Sequence, residues 1–404
     1  MKWLLLPLLL LAGCADPAAA PPAATAAAPD PAEEAARFRA DALAIEPLIN
    51  QYYAYPERFE GGAMPMSDRL RAEAAAVSDQ PSLLRYAERA LLALADHHAI
   101  TGASFSDSWA VVPSYSDLWV NAEGGAYAIE AVRADTPAER AGIRPGDRLV
   151  AVEGVAVAEK VAAFWADLGL PVTEERAGFA ARVLAAGRRD RPRRLTVATP
   201  GGAPREFELP NLYYRQLLDR PILGFERSGG DLVITINDSL GMDATIAAFD
   251  RAMAEARPGQ RVVIDLRDTA SGGNTTVARA MMGWFVTNPT AYQIHSLPAE
   301  ERETGVPRMW IEQVLPRGGR SHDGPVRVLV GRWTGSMGEG LAIGFDAIGA
   351  EIVGSRMAGL LGAIYDHRLE HSGLVLKIPT ERLMAIDYTP REHFVPGERR
   401  YPTQ

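Results

Sequence analysis

The sequence predicts a multidomain α+β protein with a helical N-terminal region, a β-rich middle part and an α/β C-terminal domain. Residues 33–114 carry apolar side chains at helical spacing, residues 115–203 form short alternating runs, and residues 204–404 alternate strands with helices. At roughly 100 to 200 residues per domain, 404 residues accommodate two or three folded units.

Two segments carry the helical prediction for the N-terminal region. Glu33–Arg37 opens an amphipathic stretch, and Pro81–Leu92 repeats apolar residues three and four positions apart. In the C-terminal part, the apolar runs Val262–Leu266 and Val326–Val330 are typical of central strands joined by crossover helices. We therefore expect a parallel sheet covered by helices there.

Composition excludes several classes of function. Lys and Arg number 42 against 51 Asp and Glu, a formal charge of -9, and no basic run interrupts this acidic background, which argues against nucleic acid as a partner. The single cysteine, Cys14, excludes a disulfide framework and a cysteine-based metal cluster. The lysines are Lys2, Lys160 and Lys377, a scarcity that limits the choice of a catalytic base.

The first 13 residues have the order of a signal peptide: Lys2, the apolar run Leu4–Leu11, and small residues before Cys14. The segment Leu11–Cys14 (LAGC) resembles the bacterial lipobox, which implies lipidation of Cys14 and attachment to a bilayer. The alternative is an ordinary secretory signal that is cut near Ala12 or later. Either hypothesis puts the body in the cell envelope, facing the periplasm or the exterior, and Ala15 in place of Asp favours the outer membrane.

Residues 14–32 consist almost wholly of Ala, Pro, Asp and Thr, and predict an extended tether. The segment Thr136–Gly154 resembles the PDZ domain of bacterial proteases. Pro137 can begin a short helix, Pro145–Asp147 a turn, and Leu149–Val152 a strand. The resemblance implies capture of a peptide by strand addition, although the usual carboxylate-binding loop is not visible.

A serine at the start of a predicted helix is the main candidate for chemistry. The strand ending at Val330 is followed by small residues and then by Ser336, where helix N–H groups can stabilise negative charge. Thr334 stands where the α/β-hydrolase elbow needs glycine, so that pattern does not fit. The alternative is that Ser336 only caps the helix.

The segment Thr334–Glu339 (TGSMGE) resembles the nucleophile segment of the tail-specific, or C-terminal-processing, serine proteases, and the resemblance extends from the PDZ-like part to Ile378–Glu381. It implies a crotonase-like ββα catalytic domain, with Ser336 as nucleophile. It also implies an oxyanion hole formed by Met337 and by Gly272 or Gly273, and residues 268–271 look like a one-residue insertion before those glycines.

Most relatives activate the serine with a lysine, but Leu360 occupies that place here, and Arg356 cannot act as a base because its guanidinium stays protonated. A second branch, which includes tricorn-like proteases and the chlamydial protease-like activity factor, uses Ser, His and Glu. Its Asp-x-His segment is similar to Leu94–Ala99, which implies His98 as the base, and its glutamate matches Glu392. Such a base predicts a rate that rises as the histidine loses its proton.

Alternatives remain for each partner. His97 competes with His98, Glu381 and Glu398 compete with Glu392, and Glu339 is interpreted as structural.

Together these features predict an exported serine endopeptidase that acts on proteins or peptides and needs no cofactor and no metal. The competing hypothesis is a catalytically inactive, PDZ-containing lipoprotein that binds peptides or other ligands and keeps the protease fold.

Overall fold

The computed structural model of the chain describes residues 30–213 and 220–397. The predicted signal peptide, Cys14 and most of the tether lie outside the described residues, as does Glu398. Within the described part, no helix is both long enough and apolar enough to cross a bilayer.

The N-terminal region is helical, as predicted. Asp30 caps the first helix by accepting the Ala32 N–H, and Asp79 and Ser82 form a capping box at the third. A two-stranded contact then joins this region to the C-terminal sheet. The elements are α1 (Pro31–Tyr52), α2 (Asp68–Ala76), α3 (Gln80–Leu92) and β1 (Ile100–Thr101).

The middle part forms a six-stranded antiparallel sheet in the order β2-β3-β4-β6-β7, with β5 paired to β4. Its elements are β2 (Leu118–Glu123), β3 (Ala126–Val132), α4 (Pro137–Arg140), β4 (Arg148–Val152), β5 (Val155–Ala156), α5 (Val157–Asp167), α6 (Glu174–Ala186), β6 (Arg193–Ala198) and β7 (Arg205–Leu209). The expectation of short strands throughout this part was incomplete, because α5 and α6 lie between β5 and β6. Thr173 caps α6 and Gly187, with φ of 80°, ends it.

Helix α6 covers the outer edge of β2. A methyl group on Gly178 would lie 3.8 Å from the backbone nitrogen of Ala122, and Arg182 donates to the Val120 carbonyl at 3.2 Å. Phe179 packs beside the rings of Trp165 and His97. An extended peptide can therefore add to β2 only if α6 moves away.

The C-terminal part has two sheets. One has the order β14-β13-β10-β9-β8, in which β8 is antiparallel and the other strands are parallel; the other has the order β1-β16-β11-β12, with β15 on β16. The strands are β8 (Leu223–Ser228), β9 (Asp231–Ile236), β10 (Val262–Asp265), β11 (Thr290–Ser296), β12 (Met309–Val314), β13 (Val326–Val330), β14 (Glu351–Gly354), β15 (Ala363–Arg368) and β16 (Val375–Met384).

Helices connect and cover these strands: α7 (Ala244–Met253), α8 (Thr275–Met282), α9 (Pro298–Thr304) and α10 (Met337–Ala347). Every residue of α10 from Met337 to Phe345 is buried, as expected of a helix that packs against both sheets. The predicted central strands, β10 and β13, are neighbours and run parallel. The turns that follow them therefore meet at one edge of the sheet, and Ser336 lies in one of these turns.

Candidate active site

Ser336 lies at the sharp turn between β13 and α10. Its φ of 51° is in the left-handed region, which costs free energy for a residue with a side chain and is common at functional turns. The turn is held from both sides. Thr334 donates its hydroxyl to the Leu266 carbonyl at 2.8 Å, and Gly335 has no space for a methyl group, which would lie 2.5 Å from the Ala270 oxygen.

Glu339, one helical turn after Ser336, fixes this geometry from inside the protein. The side chain is fully buried, and its carboxylate accepts the N–H groups of Ser336 at 2.9 Å, Gly359 at 2.8 Å and Leu360 at 3.1 Å. Burial raises the pKa of Glu339 to about 7, against the opposing effects of Arg391 and of these hydrogen bonds. Glu339 thus has the structural role that the sequence predicted, and it ties the serine turn to the segment at Leu360.

The glycine turn after β10 lies beside the serine. A methyl group on Gly272 would be 2.8 Å from the Ser336 hydroxyl oxygen, whereas one on Gly273 would be 2.2 Å from Leu240. Gly272 is therefore the glycine that lies next to the Ser336 side chain. Asp238 holds the turn by accepting the Ser271 N–H at 2.6 Å.

Three N–H groups at this point have no hydrogen-bond acceptor in the described part of the chain, and of their residues Gly272 lines the cavity beside Ser336. Among the described residues, no acceptor bonds the amide of Gly272, Gly273 or Met337. Met337 opens α10, where the first N–H groups have no partner within the helix. Met337 and Gly272 therefore flank the serine as an oxyanion hole would require.

His98 has the hydrogen-bond pattern of a neutral base. Its Nδ1 lies 2.7 Å from the carbonyl oxygen of Leu361. A carbonyl only accepts, so Nδ1 carries the proton and Nε2 has a free lone pair. Burial, against the opposing hydrogen bond to Leu361 and with a smaller contribution from Arg391, lowers the pKa of His98 to about 4.

His97 is engaged at both ring nitrogens. Arg182 donates from Nε to Nε2 of His97 at 2.8 Å, so Nδ1 carries the proton and bonds the Val111 carbonyl at 2.7 Å. Burial, with a contribution from Arg182, lowers the pKa of His97 to about 3. Neither ring nitrogen of His97 is therefore free to accept a proton from a serine hydroxyl, and we interpret His97 as a structural residue.

Asp96, the acid of the predicted Asp-x-His segment, anchors His98 through the backbone. One carboxylate oxygen accepts the His98 N–H at 2.8 Å, and the other accepts the Tyr53 hydroxyl at 2.8 Å. Arg58 lies 3.9 Å from the same carboxylate. Burial raises the pKa of Asp96. Asp96 therefore positions the base and does not contact its ring nitrogens.

The segment Leu360–Gly362 takes the place of the lysine found in most relatives. Arg391, itself almost fully buried, donates to the carbonyls of Leu360 and Gly362, each at 2.8 Å. The Leu361 carbonyl between them bonds His98. At the place where the resemblance implied a lysine, this chain thus presents a backbone carbonyl that orients the His98 ring. Nothing in the local sequence around Arg391 indicated this role.

The role predicted for Glu392 needs correction. His98 Nδ1 bonds Leu361, so Glu392 makes no hydrogen bond to the ring in this structure. One carboxylate oxygen of Glu392 is buried and unpartnered among the described residues. Burial raises the pKa of Tyr55, and the charge of Glu392 adds to this effect. The competitor Glu381 bonds His295 and accepts the Tyr365 hydroxyl, so other side chains engage its carboxylate, and the competitor Glu398 lies outside the described residues.

Ser336, His98 and Gly272 line one cavity of about 880 Å³. Helix α3, the loop before β2, helix α5 and the turns after β10 and β13 surround it, so all three parts of the chain contribute to its wall. A space of this size can hold several residues of a peptide. Ser336, His98 and Gly272, which the sequence assigned to one site, thus line the same cavity, and within the described residues no hydrogen bond joins the Ser336 hydroxyl to the His98 ring.

Contacts from the middle part hold both catalytic turns. Arg332, four residues before Ser336, makes a two-bond ion pair with Glu130 at 2.8 Å, and Trp333 donates to the Ser116 carbonyl at 2.8 Å. Arg133 forms an ion pair with Asp268 in the segment before the glycine turn. The β-rich domain is therefore part of the framework of the active site.

Comparisons with known proteins agree with this architecture. Residues 129–164 match the PDZ domain model, and residues 232–395 match the model of peptidase family S41. No curated protein sequence matches the chain.

The solved structures that resemble most of the chain include two proteases. The photosystem II D1 C-terminal processing protease is 16% identical with a TM-score of 0.53, and the alignment covers 89% of this chain and 92% of that one. Mature CPAF complexed with lactacystin is 14% identical with a TM-score of 0.54, over 90% of this chain and 93% of that one. At such identities the likeness establishes the fold. Residues 232–395 therefore match a serine-type peptidase family, S41, and residues 129–164 match a PDZ domain, within a fold shared with the C-terminal processing proteases.

Proposed function

We propose that this chain is an exported serine endopeptidase in which Ser336 is the nucleophile and His98 the general base. The observation that carries the proposal is the shared cavity. There a serine with strained backbone geometry lies against Gly272, and a histidine with an unprotonated Nε2 lines the same wall.

The reaction follows from these groups. Ser336 Oγ attacks the peptide carbonyl and its proton passes to Nε2 of His98; the imidazolium then protonates the leaving amine, which departs and leaves an acyl-enzyme. Water, deprotonated by the same Nε2, attacks the ester, and the proton returns to Ser336 as the acid leaves. The free N–H groups of Gly272 and Met337 stabilise the oxyanion in both steps.

Glu392 is proposed to stabilise the imidazolium. The positive charge formed on His98 would lie near Arg391, which already lowers the pKa of the ring. An anion nearby would offset this repulsion, and Glu392 adjoins Arg391 with a buried, unpartnered oxygen. The carboxylate would act through space, while Leu361 sets the tautomer.

We propose peptide or protein substrates, captured in part by strand addition to the PDZ domain. Strand β7 lies at one edge of its sheet, while α6 covers the opposite edge at β2. The signal-like segment and Cys14 support export and attachment to a bilayer, with the body in the periplasm or outside the cell. Metabolic labelling with a fatty acid, compared in the parent and Cys14→Ala, tests the anchor.

The test of function is hydrolysis of casein and of a quenched fluorescent peptide by the full-length protein. We expect Ser336→Ala and His98→Ala to abolish turnover and Glu392→Gln to lower it. The exposed residues Ser355 and His393 supply matched controls, since Ser355→Ala and His393→Ala should retain the parent rate.

A folded parent without turnover would contradict the proposal and favour the inactive binding protein. Activity retained in His98→Ala would contradict the assignment of the base alone.

A further inference from the structure

The wall of the active-site cavity that the mechanism does not use is rich in cations. Five basic residues contribute to the lining against three acids, although the chain as a whole carries a formal charge of -9. The basic residues are Arg85, Arg89, Lys160, Arg188 and Arg189, and the acids are Glu88, Asp107 and Asp167.

Two of the arginines form ion pairs with all three acids. Arg85 lies 3.0 Å from Asp107 and 3.6 Å from Glu88, and Arg89 forms an ion pair with Asp167. Within residues 30–213 and 220–397, no carboxylate lies within ion-pair distance of Lys160, Arg188 or Arg189. The cavity therefore contains three cations without an ion-pair partner in the described chain, and Asp107 and Asp190 act on Arg188, and Glu88 on Arg189, only beyond ion-pair distance.

Arg188 and Arg189 are held in place by neutral groups. Arg188 lies 4.0 Å over the Trp109 ring and donates to the Asp107 carbonyl at 2.8 Å. Arg189 lies 4.4 Å over the Tyr213 ring and donates to the Ser104 hydroxyl. Packing on rings fixes the guanidinium planes before a ligand arrives, which lowers the ordering cost of binding.

These guanidinium groups also lack part of their hydration. Burial lowers the pKa of Arg188, which reports a charge partly removed from water. The Nε of Arg189 is buried and has no hydrogen-bond partner in the described part of the chain. An anion that entered the cavity would supply the missing acceptor and the missing countercharge together.

We propose that Arg188, Arg189 and Lys160 form an anion-binding subsite. This subsite binds a carboxylate of the peptide substrate while the scissile bond of the peptide lies at Ser336. Arg188 and Arg189 follow α6, and Lys160 lies on α5, so the PDZ domain supplies the subsite without a carboxylate-binding loop. A carboxylate matches the planar guanidinium fork, with two acceptor oxygens for parallel N–H donors. The carboxylate can be the C-terminus of the peptide or an acidic side chain.

This proposal rests on the proposed function in one respect: it takes the ligand to be a substrate of the peptidase. Its test therefore measures peptide binding and does not measure hydrolysis. The probes are fluorescein-labelled decapeptide pools with randomised neutral positions. Each pool is made in four forms, with a free or amidated C-terminus and with one Glu or one Gln. Fluorescence anisotropy measures their dissociation constants with the full-length Ser336→Ala protein at low and high salt.

We expect the form with both carboxylates to bind most tightly and to weaken as salt rises. Arg189→Gln or Lys160→Gln should weaken its binding by about tenfold, because each removes one charge-assisted contact. The doubly neutral form should be unaffected. Arg191→Gln is the matched control: it removes a positive charge from the same loop, but Arg191 is exposed, bonds Asp190 and does not line the cavity.

Comparison of the four peptide forms distinguishes a C-terminal carboxylate from an acidic side chain as the ligand. Loss of affinity on amidation assigns the subsite to the C-terminus, and loss on Glu-to-Gln exchange in the peptide assigns it to a side chain. Equal binding of all four forms, no binding of any form, or an equal effect of Arg191→Gln would each overturn the proposal. None of these results bears on turnover by Ser336, so the peptidase proposal is judged separately by hydrolysis.

Discussion

The pH dependence of hydrolysis tests the environment of the base. Burial lowers the pKa of His98 to about 4, so we expect the rise in rate that accompanies loss of its proton to lie below the pH range of an exposed histidine. At pH 5.5 a base with this pKa is about 97% neutral, whereas one with a pKa of about 6.5 is only about 9% neutral. At pH 5.5, kcat/KM is therefore predicted to be about tenfold higher with a base of pKa about 4 than with a base of pKa about 6.5.

Glu339 introduces a second titration that must be separated from that of His98. Burial raises its pKa to about 7, and its ionised form accepts the Ser336 N–H. As the pH falls below this value the carboxylate loses its charge, the hydrogen bonds to the serine turn weaken, and activity should decline. We therefore expect kcat/KM of the parent to fall as the pH drops through about 7, because Glu339 is protonated there.

Stability should change in the opposite direction. Because the pKa of Glu339 is raised on folding, its contribution to the free energy of unfolding is greatest below the unfolded pKa and is lost as the pH rises through the folded value. A rise of about 2.5 pKa units corresponds to about 3 kcal/mol. For this group alone, the parent should melt at a higher temperature at pH 5 than at pH 8.

The assay is kcat/KM for one fluorescent peptide from pH 5 to 8, with thermal melts at each pH, in the parent and in Glu339→Gln. The variant should be slower, because its amide NH2 meets at least one of three N–H donors. Its profile should nevertheless be flat over this range. A limb near pH 6.5 that survives in Glu339→Gln would refute the reasoning, since it would show His98 titrating as a solvated histidine.

Two further substitutions test the geometry of the site. Gly272→Ala would put a methyl group 2.8 Å from the Ser336 hydroxyl oxygen, and we expect about a 100-fold loss of kcat, because a small displacement of a nucleophile has an effect of this size. Gly241→Ala, whose methyl group has 3.5 Å of space, should be near normal, and equal losses would contradict the argument. Arg182→Met removes the donor to His97 and leaves a buried acceptor unpaired, at a cost of about 1–3 kcal/mol. It should lower the melting temperature more than Arg182→Lys, and an unchanged melt would contradict the structural role of His97.

Elements with strong local signals were predicted well. The strand expected at Val326–Val330 has those bounds, and the helix expected after Ser336 runs over Met337–Ala347. A buried parallel strand is a short apolar run, and a turn of small residues before a helix depends on neighbours in sequence. These features need little knowledge of the rest of the fold.

Other features depended on packing that the sequence does not display. Helix α6 was missed, because its alanine-rich segment was assigned to a part of the chain dominated by strand signals. Glu392 was assigned to the ring of His98, but the Leu361 carbonyl takes that position. A backbone carbonyl has no residue type, so no sequence pattern can identify it as a hydrogen-bond partner.

The sequence by itself determined the order of the parts, the serine turn, the absence of the usual lysine and the candidate base. Each of these depends on residue identity or on neighbouring residues. The tertiary structure engages both ring nitrogens of His97, binds the His98 ring through Nδ1 alone within the described residues, and gathers the cations of the cavity. His98 and the carbonyl that orients it are 263 residues apart, and a hydrogen bond over that separation exists only after the N-terminal region has packed against the C-terminal domain. Burial then sets the charge of each group, because desolvation depends on everything that surrounds it in space.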